Sequence, residues 1–201
     1  LKALEHAVTL AKLTNAEITL LHIIENQYTS TDPFYATYPH IQTYETDLKE
    51  MSNHSLQKVA DKILSKGVLK VKILSKHGRT HKEIIKVSKN IKADIIVIGT
   101  HGVSGFREFV MGSNTFSVVR DASCPVISVQ RKSKSNGFKN ILVPFSDRPH
   151  SREKVIYAIK MAEIYGATVH ILGIDTEKTK PHVKKIALEA EQIKEIVEVH
   201  N

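Results

Sequence analysis

Apolar residues recur along this chain in two rhythms that alternate. Leu1, Leu4, Ala7, Val8 and Ala11 fall on one stripe of a helix, and Glu17 to Ile24 then reads as a strand. Asn26 to Ile41 breaks the pattern with two prolines and three tyrosines among small polar residues, and reads as a long loop. Helical spacing returns from Asp47 to Lys66, with Leu48, Met51, Leu56, Val59, Ala60, Ile63 and Leu64 on the apolar side and Gly67 as the stop. Leu69 to Leu74 alternates as a strand, and Gly78 turns the chain. Thr80 is expected to cap a helix through Asn90, with Glu83 completing a capping box. Asp94 to Ile98 is a continuous apolar run, the pattern of a parallel strand covered on both faces. A glycine-bearing loop from Gly99 to Gly112, a short helix from Ser113 to Asp121 and a strand from Pro125 to Gln130 follow. Helices alternating with strands imply an α/β fold, a parallel sheet with right-handed crossovers.

The chain also repeats itself. Ala7 to Ile23 (AVTLAKLTNAEITLLHI) aligns without a gap on Ala158 to Ile174 (AIKMAEIYGATVHILGI), at a constant offset of 151. Ala7, Ala11 and Ala16 meet Ala158, Ala162 and Ala167, and Ile18, Leu20 and Leu21 meet Val169, Ile171 and Leu172. The second copy opens with an additional strand, Asn140-Ile141-Leu142-Val143-Pro144, whose counterpart would fall before residue 1. The expectation is a first domain over 1–132 that lacks its first strand, a polar linker over 133–139 and the opening part of a second copy over 140–201. With that strand restored, the first domain would be an open, doubly wound, five-stranded parallel sheet of the Rossmann-like kind.

Composition narrows the function only a little. The 201 residues are 41% hydrophobic and 25% charged, enough to bury a core. No apolar run reaches membrane-spanning length and no signal-peptide pattern opens the chain, so a cytoplasmic location is the expectation. One cysteine, Cys124, excludes an internal disulfide framework. The net charge of +8 is spread over helix faces without interleaved aromatic residues, which argues against nucleic acid. The 11 histidines show no metal-ligand spacing, so no metal site is expected.

The stretch most informative about chemistry is Ile98 to Thr115 (IGTHGVSGFREFVMGSNT), which leaves a buried strand and enters a helix. Ligands of open α/β sheets lie beyond the carboxyl ends of strands. A helix start presents N–H groups and a positive dipole end to phosphate. Gly99, Gly102 and Gly112 allow backbone to approach such a ligand, and Ser113, Asn114 and Thr115 add hydroxyl or amide donors. The loop is neither GxxxxGK[ST] nor GxGxxG. Tight-turn and helix-cap roles for the same glycines remain open at this point.

The spacing Gly99-x2-Gly102-x9-Gly112-Ser113 resembles the GxxGx9G[ST] signature of the ATP-binding branch of the universal stress protein family. The flanking DIIVIGTHG and SCPVISV are similar to that family's fourth and fifth strands. The resemblance covers the first copy nearly end to end. It implies an adenine nucleotide, ATP with or without Mg2+, with Gly102, Gly112 and Ser113 around the phosphates helped by Asn114. It places Gly99 and Ile98 near ribose and base, and Ile23, after His22, against adenine. The family's aspartate after the first strand has no counterpart in the first copy. In the second copy Ser146 stands at that position, with Asp147 displaced by one. The resemblance further implies pairing of the two copies as an intramolecular pseudo-dimer, or a homodimer, through the Pro125 to Gln130 edge.

No group is evidently tuned for acid–base work, so turnover beyond slow ATP hydrolysis is not expected. Two alternatives stand beside a nucleotide-binding stress-response module. One is a nucleotide-free interaction module of the same fold, and the other an adenylyl-transferring or nucleotide-hydrolysing enzyme.

Overall fold

A computed structural model describes residues 2–25, 40–100, 111–133, 137–145, 150–173 and 184–188. The chain divides into two units, residues 1–134 and 135–201. The first alternates as the hydrophobic pattern predicts: α1 (Lys2–Thr14), β1 (Ile18–Ile24), α2 (His40–Leu64), β2 (Val71–His77), α3 (Thr80–Asn90), β3 (Ile96–Gly99), α4 (Ser113–Asp121) and β4 (Val126–Val129). The expected loop over Asn26 to Ile41 lies outside the described residues up to position 39. The helix begins at His40, earlier than the expected Asp47. Pro39 stands immediately before it, and nothing from Ile41 to Thr46 breaks a helix.

The four strands form two parallel pairs. β1 runs beside β2 from Ile18 opposite Val71 to Ile24 opposite His77. β3 runs beside β4 from Ile96 opposite Val126 to Gly99 opposite Val129. A single five-stranded sheet is not what these strands form; among the described residues the ladder stops between the pairs. The helices nevertheless span the divide. α1 packs against β1, β3 and β4, while α3 packs against β1 and α4, and α4 against β4.

The core of the first unit joins Val8 and Ala11 of α1, Ile18 of β1, Ile63 of α2 and Val68, with Leu4, Leu20, Val59 and Val71 packed around them. Ile63 is 1% exposed; burying such a side chain contributes about 1.5–3 kcal/mol. Ile18 and Leu20 therefore define the face of β1 turned to α1 and α2. By alternation Thr19, Leu21 and Ile23 belong to the opposite face.

Two turns set the geometry. α1 ends at Asn15, whose φ of 54° is left-handed, and the Ala16 N–H donates back to the Ala11 carbonyl at 3.0 Å. The start of α3 corrects the expected capping box. Gly78, at φ 140°, delivers Arg79 in an extended conformation as the N-cap, so Thr80 is already inside the helix and Arg79 makes no side-chain cap. The carboxylate of Glu25, at the end of β1, substitutes for it. It accepts from the Thr80 N–H at 3.2 Å and the Thr80 hydroxyl at 2.5 Å.

The second unit comprises β5 (Asn140–Phe145), α5 (His150–Tyr165), β6 (Thr168–Gly173) and β7 (Lys184–Leu188). β5 and β6 are parallel, from Asn140 opposite Thr168 to Phe145 opposite Gly173. β7 closes the other edge of β6 in the antiparallel sense. Its core holds Val143, Val155, Ala158, Ile159, Ala162 and Val169. The other face of β5 and β6 shows Asn140, Leu142, His170 and Leu172, with Leu142 59% exposed.

Candidate functional site

The predicted phosphate loop leaves β3 and returns to α4, and hydrogen bonds pin the residues on either side of 101–110 together. The Thr100 N–H donates to the Val129 carbonyl at 3.0 Å, which carries the β3–β4 ladder one residue past Gly99. The Gly112 N–H donates to the Thr100 carbonyl at 2.9 Å. The Thr115 hydroxyl donates to the Gly99 carbonyl at 2.9 Å, so this donor serves the scaffold and not a ligand. Thr100, Thr115 and Val118 are buried and fix the start of α4 over the end of β3.

Glycine at 112 has a specific cause. Its φ of −57° suits any residue, but a Cβ there would lie 3.2 Å from the Thr100 carbonyl oxygen. Close backbone approach, and no special dihedral, selects glycine. As N-cap it contributes no side-chain cap, and the first turn of α4 carries no acidic residue. Helix geometry leaves the N–H groups of that turn without intrahelical acceptors, at the positive end of the dipole. Ser113 is exposed beside them and Asn114 half-buried. This corner suits an anion.

Ile98, Gly99, Gly112, Ser113 and Asn114 are thus brought into one corner. Gly102 lies outside the described residues. Ile23 stands half-buried at the end of β1, opposite Lys76, on the other strand pair.

A second polar feature escaped the sequence reading. His22 Nδ1 lies 2.7 Å from Ser52 Oγ, which lies 2.7 Å from Ser75 Oγ. This chain links β1, α2 and β2, with Ser52 and Ser75 both buried. Its members His22 and Ser52 line an open pocket of about 390 Å3 together with Leu48, Met51 and Leu56. The signal was present: Leu48, Ser52 and Leu56 share one i, i+4 row, and His22 shares a face with Ile18. The pocket lies on the face opposite that of Ile23.

Glu25 and Cys124 are among the groups that depart from their ordinary values. Hydrogen bonds from the Thr80 hydroxyl and N–H, aided by the nearby His81, hold Glu25 below the usual glutamate range. Burial, and then Asp94, pushes the Cys124 thiol up, away from a reactive thiolate. Among the described residues no group of three His, Cys, Asp or Glu side chains is arranged to hold a metal ion, and no helix is long and apolar enough to cross a membrane.

The sequence profile of the Universal stress protein family matches residues 1–130. The chain belongs to that family. A universal stress protein of Methanocaldococcus jannaschii is 27% identical over 142 residues, covering 65% of this chain and 87% of the relative. Universal stress protein YxiE of Bacillus subtilis is 29% identical over 133 residues, covering 64% and 89%. A solved structure of the Methanocaldococcus jannaschii protein MJ0577 superposes with a TM-score of 0.57 at 27% identity, over 66% of this chain and 88% of that one. A universal stress protein from Archaeoglobus fulgidus gives a TM-score of 0.66 at 24% identity, over 89% of this chain and 63% of the other, a likeness of fold alone. The α/β fold of this universal stress protein domain, with its parallel strands, is therefore the family's.

Proposed function

We propose that the first unit binds an adenine nucleotide, ATP with or without Mg2+, and acts in stress response or signalling through its occupancy. The phosphates lie against Gly102, Gly112, Ser113 and Asn114, with Gly99 and Ile98 near ribose and base and Ile23 against adenine. The observation that supports this reading best is the start of α4. It is an N-terminus without a side-chain cap or first-turn acid, set on the end of a parallel strand behind the spacing Gly99-x2-Gly102-x9-Gly112-Ser113. The proposed setting is the cytoplasm. The proposed organisation is a tandem of two domains of this family, 1–132 and 140–201, joined by 133–139 and paired as a pseudo-dimer, the first a five-stranded sheet. The chemistry is binding, with slow hydrolysis at most.

Calorimetric titration of ATP tests it. Gly112→Val is expected to abolish binding, because a branched side chain fills the phosphate approach and presses on the Thr100 carbonyl. Ser113→Ala, at an exposed position, is expected to lose about 1 kcal/mol, roughly fivefold in affinity. Parental affinity in Gly112→Val would move the phosphate site elsewhere. Absence of binding at millimolar ATP would leave the interaction module, a reading favoured by the position of Ile23 on a strand pair separate from the α4 corner.

A further inference from the structure

Nearly all of the chain's net charge sits in one stretch. Residues 70–92 hold eight of the 29 lysines and arginines and one of the 21 acids, Glu83, which leaves +7 there out of +8. The stretch comprises β2, the turn at Gly78 and α3 with their immediate flanks. It contains no aromatic residue.

The fold lays these charges out in two rows. Ser75 bonds Ser52 of α2 and Val71 packs on the core, so that face of β2 is covered. Lys72, Leu74 and Lys76 alternate onto the other face, and both lysines are exposed. α3 leads from β2 to β3, which α1 joins to the far side of β1, so the chain crosses back over the sheet. Right-handed crossover then sets α3 on the face away from α2. There it packs against β1 and α4, and the lysine face of β2 lies beside it. Val87 and Ser88 turn inward, and the opposite ridge of α3 is Lys82, Lys86 and Lys89, all exposed at i, i+4 and i+7.

Little neutralises these rows. Glu17 pairs with Lys72 at 2.8 Å and Glu83 stands 4.0 Å from Lys86. Asp121 of α4 feels the charge of Lys89, but Arg120 already holds it through two hydrogen bonds, at 2.6 and 2.8 Å. Lys76, Lys82 and Lys89 form no ion pair among the described residues.

We propose that the step between β2 and α3 is a docking site for an acidic protein segment, its carboxylates set between Lys72 and Lys76 on the strand and Lys82, Lys86 and Lys89 on the helix. Shape and chemistry select this class. Lys72 to Lys76 spans about 13 Å of strand, and Lys82 to Lys89 about 10 Å of helix, so the two rows match in length. A flat bilayer meets the upper row alone, whereas a peptide lies along the step and meets both. Without aromatic side chains the step lacks the platform that holds single-stranded bases. Lysine ammonium groups are point charges on flexible stems, and they suit carboxylates presented at varied angles. The inference is independent of nucleotide binding.

Fluorescence anisotropy of a labelled glutamate-rich peptide with the nucleotide-free full chain tests it, at about 50 mM salt, where screening across the step is modest. Lys82→Glu, Lys86→Glu and Lys89→Glu combined are expected to weaken binding about tenfold or more, and Lys76→Glu alone about threefold. Lys49→Glu, Lys58→Glu and Lys62→Glu combined, at exposed positions of α2, change the net charge equally and are expected to leave affinity within about twofold. Carbodiimide coupling to the parent protein needs no variant. It is expected to fix the peptide to Lys76, Lys82, Lys86 or Lys89 and not to the α2 lysines. Equal losses from the two triple reversals, or coupling to α2, would assign binding to net charge and overturn the site. An unchanged affinity in Lys76→Glu would show one row acting alone and overturn the step as well. So would absence of binding at millimolar peptide, or tighter binding of duplex DNA or of phosphatidylserine vesicles.

Discussion

The helix–strand motif α1–β1 and its repeat α5–β6 reach the same solution from different residues. Val8, Ala11 and Ile18 are buried in the first, and Ile159, Ala162 and Val169 are buried in the second, each displaced by 151. The turn repeats as well. Asn15 has φ 54° and Gly166 has φ 62°, and the Ala16 bond to Ala11 recurs as Ala167 N–H to the Ala162 carbonyl at 2.9 Å. What differs is the company of the strand. β1 has β2 in parallel on one edge, whereas β6 has β5 in parallel and β7 antiparallel. The local motif is thus specified by its own residues, and the sheet around it by which neighbours are present.

If the motif is self-specified, its core should fail in either unit. Ile159→Ala removes a side chain that is 5% exposed, and is expected to cost about 2–5 kcal/mol. Val8→Ala, its counterpart, removes less volume and should cost less. Urea unfolding followed by exchange of the α5 and α1 amides reads both. A loss under half a kilocalorie in Ile159→Ala would mean the second unit lacks a fixed core.

The turn gives a smaller effect of opposite sign in the two copies. A Cβ at Gly166 would meet nothing within 4 Å, so Gly166→Ala carries only the cost of left-handed backbone, about 1–2 kcal/mol. Asn15→Gly relieves the corresponding strain and is expected to raise the melting temperature slightly. A destabilised Asn15→Gly would show that the asparagine side chain contributes more than its backbone tolerance.

These pairs explain what could be read from the sequence. Periodicity places the eight elements of the first unit because their apolar stripes are local. Ser113 to Asp121 agrees to the residue, and α3 ends at the expected Asn90 but takes Arg79 and not Thr80 as its N-cap. The corner of Gly99, Gly112, Ser113 and Asn114 was legible because residues on both sides of a strand–loop–helix junction meet there. Ile23 stands on the other strand pair, so its relation to that corner is not local in sequence. The capping of α3 was misread for the same reason. Glu83 is three residues from Thr80 in sequence, but the carboxylate that Thr80 meets is Glu25, 55 positions away. Likewise His22, Ser52 and Ser75 are unremarkable polar residues until β1, α2 and β2 bring them together.

The smallest expected effect isolates that long-range cap. The position equivalent to Glu25 in the second copy is Thr176, so a carboxylate there is particular to the first unit. Thr80's hydroxyl, then its N–H, hold the folded pKa of Glu25 below the ordinary 4.5. A depressed carboxylate stabilises the fold fully above its unfolded value and loses that contribution as pH falls through the folded one. The window therefore lies at and below 4.5, on the acid side. The carboxylate is largely exposed, and solvent screening keeps the contribution small. The Thr80 amide resonance is the direct reporter. It is expected to titrate with a midpoint below 4.5 in the parent. In Glu25→Gln, which keeps an acceptor oxygen but cannot ionise, it should be flat through that range. A midpoint at or above the ordinary value, or an unchanged titration in the variant, would assign the cap of α3 to another group.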